Sequence, residues 1–230
     1  MNLNSDSVNL NPVSALRYGR VKMEMINRPQ RQSRSLATEA ALKSAARRVF
    51  AAKGYFNTKI TDITTEAGRS AGSFYTYFPN KEALLEALAR DFLEDLEARQ
   101  QRTADRAPEL SYDHLRAHVA QYWHSYREHL PEMVAIFQAS MADQAFFARW
   151  RKLRDVEFDE LREITAILER HSVGNVAPGV MASAALSTLE FFCYIWQAAG
   201  GDPPGTRLPD DQAIDTLTTL LLHGMRGAPR

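Results

Sequence analysis

The sequence predicts an all-α protein, and three observations carry that expectation. Apolar residues recur at helical spacing in segment after segment. Gly, Pro and small polar residues fall between those segments, where caps and turns belong. Neither strand alternation nor an Asn-Gly hairpin signal occurs. An apolar fraction of 45% and a charged fraction of 24% are those of an ordinary globular chain. At 230 residues there is room for one large or two small domains, each with a core.

Residues 1–35 lack hydrophobic periodicity and carry Arg17, Arg20, Lys22, Arg28, Arg31 and Arg34, which predicts a basic, disordered arm. From Thr38 the pattern turns helical, with Leu42, Ala45, Ala46, Val49 and Phe50 on one side and Gly54 as a stop. TKITDITTEAG predicts a short second helix, with Thr58 as its cap, Ile60, Ile63 and Ala67 inward, and Gly68 at its end. Ser70 then caps a third helix, which Pro79 breaks. Asn80 caps a long fourth, with Leu84, Leu85, Leu88, Phe92 and Leu96 along one side. After a polar stretch at 103–110, helices are expected at 112–130, 132–141, 144–172, 178–200 and 210–226. Pro131, SVGNVAPG and GGDPPGTRLPD mark the breaks.

The formal net charge of zero hides an asymmetry: residues 1–81 sum to +8 and residues 82–230 to −8. A basic segment joined to an acidic one suggests a polyanion-binding part beside a part with another task. The single cysteine, Cys193, rules out an intrachain disulfide and fits a reducing compartment. The first residues hold no apolar stretch of the signal-peptide kind. The most apolar long run, 180–200, has Glu190 near its middle, and a carboxylate at a bilayer centre costs roughly 3 kcal/mol. A buried helix is therefore expected there, in a cytoplasmic protein with no membrane partner.

The stretch SAGSFYTYFPNKEAL (70–84) sets four aromatics within five positions. A short helix, a Gly-containing turn and a second short helix make the shape of a helix-turn-helix, whose second helix enters the major groove. Gly68 suits a turn position of positive φ. Ser70 can accept from the first N–H groups of the recognition helix. Ala71, Gly72 and Ser73 are small enough for close approach to bases and phosphates. Phe74 and Phe78, at i and i+4, are expected in the core. Tyr75, Thr76 and Tyr77 then point elsewhere, where hydroxyls bond phosphate and rings meet thymine methyls. Lys81 opens the next helix, where its ammonium favours a phosphate.

The stretch TEAALKSAARRVFAAKGYFNTKITDITTEAGRSAGSFYTYFPNKEALLEAL (38–88) resembles the DNA-binding domain of the tetracycline-repressor (TetR) family. The features carrying the resemblance are Ala-Ala-x-x-x-Phe, Gly-Tyr, Thr…Asp-Ile, Ala-Gly, and Ser-x-x-Tyr-x-Tyr-Phe-x-x-Lys-Glu-x-Leu. The remaining three-quarters of the chain matches only in helical character and length. Two positions depart from the usual pattern: Arg69, where a small apolar residue is common, and Thr64, where alanine is common. The resemblance implies that Thr58, Ser70, Ser73, Tyr75, Thr76, Tyr77 and Lys81 contact DNA; Arg69, in the turn, joins them as a candidate phosphate or base contact.

Other chemistries find less support. Tyr77-x-x-x-Lys81 matches a dehydrogenase pair but lacks the Rossmann unit and its glycine-rich turn. There is no G-x-S-x-G, Walker loop or H-E-x-x-H. His114 and His118, at i and i+4, read better as partly buried or pocket histidines than as a metal site. Cys193 has no activating basic neighbour or second cysteine. No catalysis, cofactor or metal is expected.

The aromatic and methionine residues of the C-terminal part are mostly core by their spacing. The family resemblance implies that some line an effector pocket, with Tyr122, Trp123, Tyr126, Phe137, Met141, Phe147 and Trp150 as candidates. The expected organisation is a basic arm (1–35), a helix-turn-helix domain (36–80) and a helical effector-binding and dimerisation domain (81–230). The expected function is a ligand-responsive repressor that binds a palindromic double-stranded DNA operator as a homodimer. The dimer would form through the helices at 178–200 and 210–226, and a small apolar effector would release the DNA. Glu190 is then expected at the edge of that interface or against a partner. The helix opening at Asn80 is expected to be the one continuous link between the two domains. The alternatives are a helical small-molecule or lipid carrier with an incidental basic end, and a helical enzyme without a recognisable site.

Overall fold

A computed structural model describes residues 12–103, 111–157 and 177–226, and all regular structure among them is helical. α1 spans Pro12–Asn57, and Gly54, at φ 72° and ψ 166°, interrupts its helical geometry near the end. The disordered arm expected over 1–35 differs from the structure over 12–35, where the backbone is helical; residues 1–11 lie outside the described residues. Proline is favoured in a first helical turn, and helix formers such as Leu16, Lys22, Met23 and Glu24 follow it. Gly19 and Pro29 within the same segment oppose a helix, so propensity alone does not account for it.

α2 (Ile60–Glu66) is preceded by Lys59, not by Thr58 as expected. The Asp62 carboxylate accepts from the Lys59 amide at 2.9 Å, while the Thr58 hydroxyl turns back and donates to the Gly54 carbonyl at 2.7 Å. Gly68 makes the turn at φ 61°. Ser70 caps α3 (Ala71–Tyr77), its hydroxyl accepting from the Ser73 amide at 3.1 Å. Asn80 caps α4 (Lys81–Thr103), accepting from the Ala83 amide at 2.7 Å.

α5 (Tyr112–Glu128) starts on a Ser111 cap, and α6 (Leu130–Ala142) has Pro131 in its first turn. α7 covers Gln144–Glu157; the part of the expected helix beyond it, 158–172, lies outside the described residues. α8 (Pro178–Cys193) widens into a π-helical turn at Tyr194–Ala198, short of the expected 200. In the loop that follows, Gly201 sits at φ 87°, and a Cβ there would lie 2.3 Å from the Thr206 carbonyl oxygen. α9 spans Asp210–Arg226.

α1 packs most extensively on α6, α5 on α9, and α4 on α5, α6 and α7. Buried apolar side chains from Leu42 to Leu222 form one cluster, so the core passes from the first helices into the later ones. α8 departs from the buried helix expected. The segment Pro178–Ala198 is long and apolar enough, by length and composition, to cross a membrane, yet only 22% of its apolar window is buried within the chain. Leu186, Leu189 and Cys193 face inward, while Val180, Ser183, Ala184, Ser187, Thr188 and Phe191 lie on an exposed side. Helical spacing identifies the apolar character of this helix but not what covers it.

Candidate nucleic-acid interface and interior cavity

Phe74 and Phe78 are buried with ring centroids 5.7 Å apart, which fixes the inner face of α3 against the core. The opposite face then carries the residues aimed outward. Tyr75 is 56% exposed, its ring edge-on to Phe74. Ser70 and Arg69 are exposed beside it, and Ser73 is half-buried. Because Ser70 caps through its oxygen, its O–H donor remains available to a phosphate. Arg69 has no carboxylate partner at ion-pair distance among the described residues.

The other expected contacts are engaged internally. Thr58 is only 3% exposed, and its hydroxyl is spent on Gly54. Thr76 is exposed, but its hydroxyl donates to the Gly72 carbonyl at 3.0 Å. The half-buried Tyr77 bonds its hydroxyl to Ser35 Oγ at 3.2 Å, tying α3 to α1. Lys81 Nζ donates to the carbonyls of Tyr55 and Thr58 at 2.8 and 2.9 Å, and burial lowers its pKa. An ammonium has three donors, so one remains for an outside oxygen. The expected set therefore divides into an outward group (Arg69, Ser70, Ser73, Tyr75) and a group that braces the motif (Thr58, Thr76, Tyr77, Lys81).

A cavity of about 400 Å³ opens between α6, α7 and α8. Of the seven expected pocket residues, Tyr126, Phe137, Met141, Phe147 and Trp150 line it. Tyr122 and Trp123 do not. Tyr122 is buried edge-on to Phe92, and the Trp123 indole N–H donates to Asp210 at 3.0 Å. Sequence reasoning missed Met133, Ile136, Ser140, Arg154, Ser187, Glu190 and Phe191 as lining residues. A signal existed on α6, where Met133, Phe137 and Met141 stand four apart and Ile136 and Ser140 continue the same stripe. Nothing local marked α8. Glu190 finds its partner within the chain, pairing with Arg154 at 3.1 Å. Burial raises its pKa while Arg154 opposes the rise.

α6 has a second face. Glu132, fully buried, accepts from Arg47 Nε on α1 at 2.7 Å, and its same oxygen meets His129 Nδ1 at 2.7 Å. Arg47 also reaches Asp91 on α4 at 3.1 Å, beside Lys43 at 2.7 Å. Gln138 Oε1 accepts from the Tyr55 amide at 3.1 Å, just past the Gly54 interruption. One helix thus lines the cavity and grips α1, so a packed route through α6 runs beside the continuous one through α4. The His114 and His118 rings lie with centroids 4.5 Å apart and planes tilted by 56°, and no group of three metal-ligating side chains occurs among the described residues. Cys193 is fully buried, and burial raises its thiol pKa, which disfavours a reactive thiolate.

Comparisons with known proteins agree with this arrangement. Residues 42–88 match the family model described as bacterial regulatory proteins, tetR family. The HTH-type transcriptional regulator EthR of Mycolicibacterium smegmatis is 23% identical over 190 residues, 82% of this chain and 86% of that protein. The HTH-type transcriptional repressor KstR2 of the same organism is 35% identical over 79 residues, 34% of this chain and 38% of that one. The solved complex of AibR with isovaleryl coenzyme A and operator DNA shares the fold. It has a TM-score of 0.61 and 20% identity, covering 81% of this chain and 98% of that one. Over residues 42–88 the chain thus carries a helix-turn-helix region similar to that of the tetR family of bacterial regulatory proteins, and it is a DNA-binding transcriptional regulator.

Proposed function

We propose that this regulator is a cytoplasmic repressor: a homodimer that holds a palindromic operator until an apolar effector enters the cavity between α6, α7 and α8. The observation that carries the proposal is the double duty of α6. Its Met133, Phe137 and Met141 line the cavity, while its Glu132 and Gln138 bond to Arg47 and Tyr55 of α1. A ligand shifts an equilibrium only through its different affinities for the two states. An effector that displaces α6 changes how α1, and with it α2 and α3, is held. The AibR complex holds both an acyl-coenzyme A and operator DNA, which supports a regulator that binds a ligand as well as DNA, and KstR2 is named a repressor.

The domain at 36–80 and the remainder from 81 keep their proposed roles of DNA reading and effector response. In the outward group, Arg69 and Ser70 address phosphates and Tyr75 a base or sugar. Tyr77 and Lys81 serve mainly to hold α3 in place. The homodimer pairs α8 and α9 with their two-fold copies and sets the two α3 helices roughly 34–36 Å apart, one turn of B-DNA.

Selection of bound duplexes from a random library tests the DNA side, with a palindrome as the expected result. The coupling is tested by titrating an effector with and without the selected operator, and the two binding constants must differ by the factor that the effector imposes on operator affinity. A carrier would show ligand binding indifferent to DNA, and that outcome would overturn the proposal.

A further inference from the structure

The polar groups of the cavity are few and unevenly satisfied. The Ser140 hydroxyl oxygen, from α6, is buried without a hydrogen-bond partner among the described residues, and so is Nε of Arg154. Arg154 Nη1 meanwhile lies 3.1 and 3.3 Å from the two carboxylate oxygens of Glu190. A guanidinium offers donors only, a hydroxyl one donor with acceptors, and an ionised carboxylate acceptors only. In this wall the carboxylate is answered by Arg154 Nη1, while the Ser140 hydroxyl and Arg154 Nε are not. Arg154 and Glu190 are also the charged lining residues described, so their formal charges cancel.

We propose that the cavity takes a neutral, largely apolar molecule ending in an oxygen acceptor, such as a ketone, ester, lactone or amide carbonyl. Ser140 and Arg154 donate to that oxygen, and Glu190 excludes free carboxylates. The proposal rests on the reading of this cavity as the effector site. A carbonyl supplies the missing acceptor at no cost in charge. A ligand carboxylate would bring a second anion beside Glu190 where a single guanidinium stands, out of water, and like charges sharing such a site oppose each other. The rest of the wall, from Ile136 and Phe137 to Trp150 and Phe191, suits an alkyl or aromatic body. The volume falls near the lower end of the range for drug-sized ligands, about 300–1,000 Å³.

Octanoate and methyl octanoate, equal in chain length, are titrated calorimetrically into the full chain at neutral pH. The ester is expected to bind about tenfold tighter or more. Glu190→Gln removes the competing anion and frees Arg154, so octanoate affinity should rise about tenfold or more. Ser140→Ala should weaken the ester about threefold or more, and it decides the matter if the Glu190 variant fails to fold. Tighter binding of octanoate than of its ester by the native protein overturns this proposal and leaves the cavity standing as the effector site. Binding of neither probe overturns both. A Glu190→Gln protein that folds but gains nothing for octanoate removes Glu190 as the excluding group.

Discussion

Lys81 Nζ lies 2.8 Å from the Tyr55 carbonyl oxygen, 2.9 Å from that of Thr58, and 4.1 Å from the Tyr55 ring centroid. These contacts close the chain between the end of α1 and the start of α2, so the ammonium acts on the motif before it acts on DNA. Lys81→Ala is expected to lower stability by about 1–3 kcal/mol, because two carbonyls lose a charged donor. An unchanged urea midpoint would remove the bracing role. Arg69→Ala, by contrast, is expected to leave that midpoint in place while weakening DNA binding and reducing the salt slope by about one counterion per half-site. An unchanged salt slope would take Arg69 out of the interface. At the other end of the molecule, hydrogen bonding from Arg127 holds the Asp210 carboxyl well below its ordinary 3.8, at about 2. A depressed folded-state pKa means that the contact stabilises fully above about pH 4 and is lost as the pH falls through about 2. Native and Asp210→Asn proteins should therefore differ in melting temperature at neutral pH and converge in acid. A difference that stays undiminished as the pH is taken from neutral to about 1 would show that the Arg127–Asp210 ion pair is not its source.

α6 is the element through which cavity and DNA-reading helices meet. Arg47 is a poor probe of that route, since removing it leaves Glu132 buried with one partner fewer. Gln138 is better: it is half-buried, and its bond to the Tyr55 amide crosses between the two parts. Gln138→Ala should cut the ratio of effector affinities measured with and without operator by about fivefold, within the usual span of coupling energies. A ratio equal to that of the native protein would move the route to α4. Much of the first eighty residues was legible because their signals are local. Ser70 and Asn80 cap where the sequence placed them, Gly68 takes the positive φ, and Phe74 and Phe78 pack inward. Thr58 misled by one position, since its hydroxyl bonds backward to Gly54 and leaves the first cap position to Lys59. The cavity was legible only in part. Helical period tells which residues share a stripe, but not which neighbour that stripe meets. Tyr122 and Trp123 looked like pocket residues and are core, whereas the Arg154–Glu190 pair joins helices 36 residues apart in sequence.

At the scale of the whole molecule, the unresolved demand of the chain is the exposed side of its last two helices. On α8, Val180, Ala184, Ser187, Thr188 and Phe191 follow the helical repeat along one stripe, with Val180 62% and Phe191 53% exposed. On α9, Thr216, Thr219, Leu220, His223 and Gly224 form another, with Leu220 56% exposed. Both stripes mix small residues, which let helices approach closely, with a few large apolar ones to anchor them. In the proposed homodimer a second copy would bring an identical pair of stripes, and a two-fold axis between them would bury all four in one bundle. Phe191 belongs to the exposed stripe and also lines the cavity, so in the proposed assembly effector and partner would meet at one ring. The double variant Val180→Glu, Leu220→Glu introduces like charges facing their own copies. It should sediment as a monomer at micromolar concentration, where the native chain is expected to sediment as a dimer. A monomer presents one α3 at a time and loses the gain from joining two half-sites, on the order of a hundredfold or more in operator affinity. Its affinity for a single half-site should stay that of one native subunit. A variant that remains dimeric with full operator affinity would place the interface elsewhere and leave the apolar side of α8 to another partner.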